Sequence, residues 1–440
     1  MNILYLAHRI PYPPNKGDKL RSFHQLHWLS KRHRVWCACF VDRAEDRRYV
    51  NELRRLCVDV AAIRLRRTPA TVRAWSGLLL GGTLTESYYA QRGMRQALSR
   101  WSEHVSFDAV VAFSSSMARY ALCVGAPRRV LDLCDRDSQK WLDYAEFSHV
   151  PKALMYQTEG RRLAVLEEKF VGQFDATILI TEAEASGLRT VARPGKLHVA
   201  GNGVRCRAGF QPEFSPPVSR RHTTDRPLTV GFVGAMDYHP NVDGVCWFVE
   251  RCWPAIRATF PAACFRIVGR SPTRQVRRLG RIPGVVIVGG VTDVGPQIEQ
   301  FDLSVAPLRI ARGLQNKVLE AFSSAKPVVL TSAVAAGLEG RRGQDYIVAD
   351  DPEDFGHEVC RLLADPSRRQ QLGRAAAAYT AANHRWDDEL REFEMIVTGT
   401  GATRSMPAAL ALAGQPTENP PPIVPPENPA PVGTVELLPN

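Results

Sequence analysis

Arg312, Lys317 and Glu320 are spaced for work on an anionic, hydroxyl-bearing ligand. Lys317 and Glu320 are three residues apart, so on a helix their side chains share a face, with the carboxylate roughly 4.5 Å further along the axis. The N–H groups that open a helix lack intrahelical acceptors and carry the positive end of its dipole, a setting that attracts anions. With Arg312 just before such a helix and Lys317 inside it, two cations converge on a diphosphate. Glu320, one turn on, accepts hydrogen bonds from ribose hydroxyls. A solvated Lys–Glu pair beside a helix start fits the same residues equally well.

A strand, loop, helix, strand unit must position these groups. Leu303, Val305 and Ala306 form an apolar run closed by Pro307. The spacing of Leu314, Val318, Leu319 and Phe322 predicts a helix from near Gly313, ended by Lys326-Pro327 before a strand from Val328 to Thr331. Earlier, Ile3 to Ala7 reads as a buried strand, followed by a helix with Leu20, Phe23, Leu26 and Leu29 inward and a strand from Val35 to Val41. No G-x-G-x-x-G follows the first strand and no acidic residue is placed for a dinucleotide ribose, which disfavours a nicotinamide dehydrogenase. Further strands are predicted at Ala109 to Phe113, Val130 to Leu133, Phe174 to Ile180, Cys264 to Gly269, Val285 to Gly289 and Tyr346 to Asp350. The alternation with helices, among them Val242 to Arg257 and Pro352 to Asp365, predicts doubly wound α/β domains with parallel sheets.

The stretch R-G-L-Q-N-K-V-L-E-A-F-S-S-A-K-P-V-V, from Arg312 to Val329, resembles the donor-site motif of glycosyltransferase family 4, the retaining sugar transferases of GT-B fold. That motif is Glu, seven residues, Glu, then Ala-Met-Ala-x-Gly-x-Pro-Val-Val. Glu320 matches the second Glu, and Arg312 replaces the first, which in the family holds hydroxyls of the donor sugar. The opening H-R-I-P-Y-P-P-N-K-G-D-K-L-R-S-F resembles the sugar transferases associated with exosortase (PEP-CTERM) exopolysaccharide systems. The resemblance implies an N-terminal acceptor-side Rossmann-like domain at 1–205, a linker at 206–227, a nucleotide-sugar domain at 228–383 and a returning helix at 384–397. The tail, 398–440, is Pro-rich without apolar period and reads as disordered.

The resemblance also implies roles. Gly17 faces the cleft between the domains, and Gly234, Asp237 and Asn241 face the donor phosphates; Asn241 equally fits a cap of the following helix. Gly290 and Val291, in the turn from Gly289 to Val294, read the nucleobase through backbone groups, and Gly313 and Leu314 lie at the diphosphate. Arg312, Lys317 and the helix N-terminus stabilise the leaving diphosphate without a metal or other cofactor. Asp132, Asp135, Asp137 and Lys140, at a strand's carboxyl end, are candidate acceptor-side groups lining the cleft. Asp135-Arg136-Asp137 is spelled like a metal-binding Asp-x-Asp, but so common a tripeptide says little, and it falls in the acceptor half. Ser114 to Ser116 stand where family members often carry a His that touches the sugar.

The formal charge of +12 leaves nucleic acid, an anionic membrane surface or anionic substrates as explanations. No zinc-finger spacing, RNP-type aromatic motif or long Lys/Arg tract is present, which disfavours nucleic acid. Between Arg64 and Arg100, arginines mix with Trp75, Leu78 to Leu80, Tyr88 and Tyr89, as an interfacial segment requires, although no long amphipathic helix is evident. Core leucines with solvated arginines are the alternative. The ten scattered cysteines, without metal or redox spacing, read as reduced thiols of a cytoplasmic protein, and neither a signal peptide nor a bilayer-spanning run is recognisable. The expected reaction is transfer of a sugar from a UDP or GDP sugar to a glycan or polyprenyl-diphosphate-linked acceptor at the inner membrane face. A GT-B epimerase or hydrolase of nucleotide sugars, and a non-catalytic scaffold using the basic face and Pro-rich tail, are the rival readings.

Overall fold

The computed structural model describes residues 1–14, 17–146, 148–204 and 226–400. Most of the expected linker, and the tail from 401, lie outside the described residues. The chain builds two parallel sheets. The first takes the order β3-β2-β1-β4-β5-β6-β7, from β1 (Asn2–Ala7), β2 (Arg34–Val41), β3 (Asp59–Arg64), β4 (Ala109–Phe113), β5 (Arg128–Cys134), β6 (Ala176–Leu179) and β7 (Leu197–Val199). The second takes the order β10-β9-β8-β11-β12-β13, from β8 (Thr229–Val233), β9 (Cys264–Val268), β10 (Val285–Gly289), β11 (Leu303–Ala306), β12 (Val328–Leu330) and β13 (Ile347–Val348). All named pairings are parallel, and helices join successive strands, so the expected doubly wound α/β class is what the chain adopts. β3 and β7 carried too little apolar signal to be predicted.

Both faces of the first sheet are covered, which explains its near-continuous apolar strands. Leu4 and Leu6 of β1 face one core with Val110, Ala112 and Leu131. Ile3, Tyr5 and Ala7 face the other with Val111 and Val130. The first helix, Gly17–Ser30, adds Leu26 and Leu29 to this second core. The helix Trp386–Thr398 lies on the same face, with Phe393, Ile396 and Val397 in that core and Glu394 accepting from Trp28 Nε1 at 2.7 Å. The end of the chain's described part thus packs on its beginning. The second sheet encloses a core that includes Phe232, Phe248, Trp253, Phe265 and Phe322.

In each sheet the order reverses beside the first strand formed: β1 sits between β2 and β4, and β8 between β9 and β11. Such a switch point leaves a crevice at the carboxyl ends of the strands, because the flanking helices leave to opposite faces. His8 follows β1 and Ser114 follows β4 in the first sheet. Gly234 follows β8 and Pro307 follows β11 in the second.

The segment between Arg64 and Arg100 corrects the sequence reading. It is helical at Arg67–Leu79, Leu84–Tyr89 and Arg92–Ser102, so a 13-residue helix carries Trp75 and Leu79 where no long amphipathic helix was evident. Its small buried positions, Ala70 and Ala74, hid the period. The nine described cysteines are free, and among the described residues no helix is long and apolar enough to cross a membrane.

Candidate active site

At the switch point of the second sheet, β8 ends in Gly234 and the chain turns tightly. Gly234 N–H donates to Val268 O at 3.0 Å and Met236 N–H to Arg270 O at 2.9 Å, tying the turn to the end of β9. A Cβ on Gly269 would meet the Gly234 carbonyl, so glycine is required for this approach. The helix His239–Trp247 follows, three residues earlier than predicted, and breaks into a π turn at Phe248–Cys252. Asn241 therefore lies in its first turn and does not cap it. Its buried amide spans the site, Nδ2 donating to Ala235 O at 2.9 Å and Oδ1 accepting from Lys317 Nζ at 2.8 Å. Asp237 is exposed and lies 3.8 Å from Arg43 of the first domain.

On the other side of the crevice, the helix spans Asn316–Ser323 rather than starting near Gly313. The reason is local: Gly313 takes φ +59°, outside the helical region, and its carbonyl abuts Gly337. Gly313 and the buried Leu314 thus belong to the loop before the helix, whose first turn carries Lys317. Lys317 Nζ also donates to Gln315 Oε1 at 3.3 Å and lies 5.5 Å from the Phe232 ring centroid. Two neutral acceptors take two of its three protons, and among the described residues no carboxylate is within ion-pair distance. Burial in this setting lowers its pKa to about 8, against an opposing pull from Glu320. The nearby Glu320 thus acts on this cation without touching it in an ion pair.

Glu320 is half-buried on the same helix. Burial raises its pKa to about 7; Lys317 opposes this and Asp293 adds to it. Asp293 belongs to the turn after β10, where Gly289 takes φ +83° and Gly290 packs against Arg270, so that turn is brought beside Glu320. Val291 packs beneath it against Val233, Val268, Ile298 and Phe301. The crevice thus gathers Gly234, Asn241, Lys317, Glu320 and the Gly289 to Val294 turn from three separated stretches.

The first domain closes over this crevice. A Cβ on Gly17 would sit 3.5 Å from Asn316 Nδ2, which puts the start of the first helix opposite the start of the Lys317 helix. Asn202 Nδ2 donates to Asn316 Oδ1 at 3.0 Å. Arg312 reaches across and donates to Asp143 through Nε at 2.7 Å and Nη2 at 2.6 Å. Its guanidinium is therefore engaged by a carboxylate of the first domain instead of standing free for phosphate. Sequence reasoning passed over Asp143, Asn202 and Asn316; only the G-N-G context of Asn202 gave a local hint.

The acceptor-side candidates separate. Asp132 is fully buried, which corrects its reading as a cleft-lining group. It accepts from Arg21 Nε at 2.9 Å, Gln25 Nε2 at 2.6 Å and Cys134 N–H at 2.9 Å, and so fastens the first helix to β5. Asp135, Asp137 and Lys140 stay together at the cleft, with Lys140 Nζ 3.2 Å from Asp135 and 3.3 Å from Asp137. Asp135 lies against Gly313 of the other domain, where any Cβ would collide with its Oδ1. Ser115 Oγ donates to Asp137 at 3.2 Å. Among the described residues no group of three or more His, Cys, Asp or Glu side chains is arranged to hold a metal ion.

Two doubly wound parallel-sheet domains that meet across a cleft are the GT-B architecture found in glycosyltransferases. Within it, residues 227–365, the second sheet's domain, match the family described as Glycosyl transferases group 1. No curated protein matches the chain in sequence. Among solved structures, Anabaena Alr3699/HepE in complex with UDP and glucose is similar at TM-score 0.64 and 14% identity, over 91% of this chain and all of that one. A sucrose-phosphate synthase from Thermosynechococcus elongatus is similar at TM-score 0.64 and 14% identity, covering 90% and 98%. WaaG, a glycosyltransferase involved in lipopolysaccharide biosynthesis, is similar at TM-score 0.60 and 16% identity, covering 90% and 100%.

Proposed function

We propose that the protein is a retaining glycosyltransferase that moves a sugar from a uridine diphosphate sugar to a glycan or polyprenyl-diphosphate-linked acceptor in cell-surface polysaccharide synthesis. The observation that carries this reading is Lys317, a half-buried ammonium held by two neutral amide oxygens with no carboxylate in ion-pair contact among the described residues, at the first turn of a helix in a switch-point crevice. A diphosphate supplies the ion-pair partner. Glu320, one turn along, then accepts from the ribose hydroxyls, and the Gly289 to Val294 turn meets the base. Alr3699/HepE holds UDP or UDP-glucose in a structure of the same architecture, which favours uridine over guanosine.

In the reaction, the bond from the anomeric carbon to the diphosphate oxygen breaks as the acceptor oxygen bonds that carbon from the same face. The acceptor's proton passes to the departing phosphate oxygen. Charge builds on the leaving diphosphate, where Lys317 and the helix N–H groups act in a setting with little water to screen them. Asn241 fixes the ammonium for this task. Asp135, Asp137 and Lys140 at the opposite wall are the groups that meet acceptor hydroxyls. Arg312 joins the diphosphate when it leaves Asp143, and no metal is required for charge balance.

Calorimetric titration with UDP and with GDP, without metal, tests this. Micromolar binding of UDP, weakened at least about tenfold by Lys317→Met, is expected. If a folded protein binds neither nucleotide, the reading fails.

A further inference from the structure

We propose that the exposed face formed by the helix Arg67–Leu79, the turn after it and the helix Lys152–Gln173 docks on a membrane surface rich in anionic lipid. More than half of the large apolar side chains exposed on the described residues sit here or just before the second helix. Leu79 and Leu80 are 83% and 87% exposed, Val72 65%, Trp75 48%, Leu154 63% and Val165 68%. Val72, Trp75 and Leu79 follow helical spacing along one side, while Ala70 and Ala74 face the core.

This face is held rigid, so the leucines are not a frayed end. Arg162 Nη1 donates to Leu78 O at 2.6 Å and Gly82 O at 3.0 Å. The fully buried Glu159 accepts from Leu84 N–H at 2.5 Å and from Thr85 N–H and Oγ1 at 2.9 and 2.8 Å. A buried carboxylate and a guanidinium thus clamp the turn between two helices and hold Leu79 and Leu80 out in water. Apolar side chains so presented mark an interaction site.

Charge selects the occupant. From Val60 to Thr85 the chain carries Arg64, Arg66, Arg67 and Arg73 and no acidic residue. The second helix exposes Arg161 and Lys169 beside Leu154 and Val165; of its three acids Glu159 and Glu167 are buried and Glu168 is half-buried, so the basic groups outnumber the acid on this side. Cations around a projecting pair of leucines and a tryptophan suit phosphate headgroups over an acyl boundary, where each basic group and each buried methylene adds to binding. A protein partner would require acidic complement; a second copy would bring like charge to like.

Sedimentation of the full chain with vesicles of phosphatidylcholine alone, and of phosphatidylcholine with phosphatidylglycerol, tests the proposal. Binding is expected only with phosphatidylglycerol and should weaken as salt rises. Leu79→Ser with Leu80→Ser should reduce partition about tenfold or more, with the melting temperature unchanged because both side chains are already in water. Arg161→Gln with Lys169→Gln should weaken binding to the anionic vesicles. Absence of phosphatidylglycerol-dependent binding, or indifference to the leucine pair, would overturn it. So would conversion of a dimer to a monomer by the leucine pair, which would give the face to a second copy. UDP titration is independent of every arm, so failure here leaves the donor-site reading standing.

Discussion

If Lys317 is the cation that meets the diphosphate, UDP affinity must fall as pH rises through about 8, and the fall must vanish in Lys317→Met. In the free protein the ammonium is half ionised near pH 8 because burial disfavours its charge. A bound diphosphate restores the charge and pushes the pKa back up. Linkage then makes UDP bind about tenfold more weakly at pH 9 than at pH 7, close to 1.4 kcal/mol. The lysine also takes up about half a proton on binding at pH 8, visible as a dependence of the binding heat on buffer ionisation. Lys317→Met binds more weakly at pH 7 and lacks this component; the uracil ring's own titration is common to both proteins and cancels in their ratio. For folding alone the sign is opposite. The unfolded chain holds the lysine proton more tightly than the native state between about pH 8 and the ordinary lysine value, so Lys317 makes the unliganded protein more stable as pH rises across that window. An affinity ratio of wild type to Lys317→Met that is the same at pH 7 and pH 9 would refute the assignment.

Glu320 titrates in the other direction: with a pKa raised to about 7, it accepts from ribose most strongly once deprotonated, so the advantage of wild type over Glu320→Gln in UDP affinity should grow between pH 6 and pH 8. Asn241→Ala removes an acceptor from a half-buried ammonium and a donor from the Ala235 carbonyl, and should lower unfolding free energy by about 1–3 kcal/mol in urea melts while weakening UDP binding. Asp132→Ala leaves Arg21 buried without its carboxylate and should cost about 3–5 kcal/mol in the same melts, with UDP affinity of the folded fraction unchanged; a stable variant with lost transfer would return Asp132 to the acceptor site. Asp143→Asn frees Arg312 from a partly exposed pair, so UDP affinity should rise by no more than about fivefold, and the gain should disappear when Arg312 is alanine.

The chain's local patterns carry residue types well and partners badly. The run through Lys317 and Glu320 suggests an anion site from sequence because its evidence is a helix start and a three-residue spacing, both local. Asp132 was misread because an acid at a strand's carboxyl end has the same local look whether it lines a cleft or faces a helix. Its environment is set by strand parity, which puts it beside Val130 on the side covered by Arg21 and Gln25, more than a hundred residues earlier. Gly313 shows the same limit on a smaller scale. Apolar spacing supports a helix starting near it, yet the approach of Gly337 and Asp135, from two distant stretches, accompanies a left-handed backbone there and the helix starts at Asn316.

That Lys317 has no ion-pair partner among the described residues belongs to this second kind of fact. Glu320 is its nearest acid in sequence and faces the same side of the helix, so the sequence alone allows a closed Lys–Glu pair. The fold instead places the amides of Asn241 and Gln315 on the ammonium, leaving it out of ion-pair contact with a neighbouring carboxylate that burial holds partly protonated near neutral pH. Two adjacent groups of opposite sign, each pushed toward its neutral form rather than in ion-pair contact with the other, are what the proposed nucleotide site requires. A ligand with a diphosphate for one and hydroxyl donors for the other satisfies both at once, and a nucleotide has those two parts one helical turn apart.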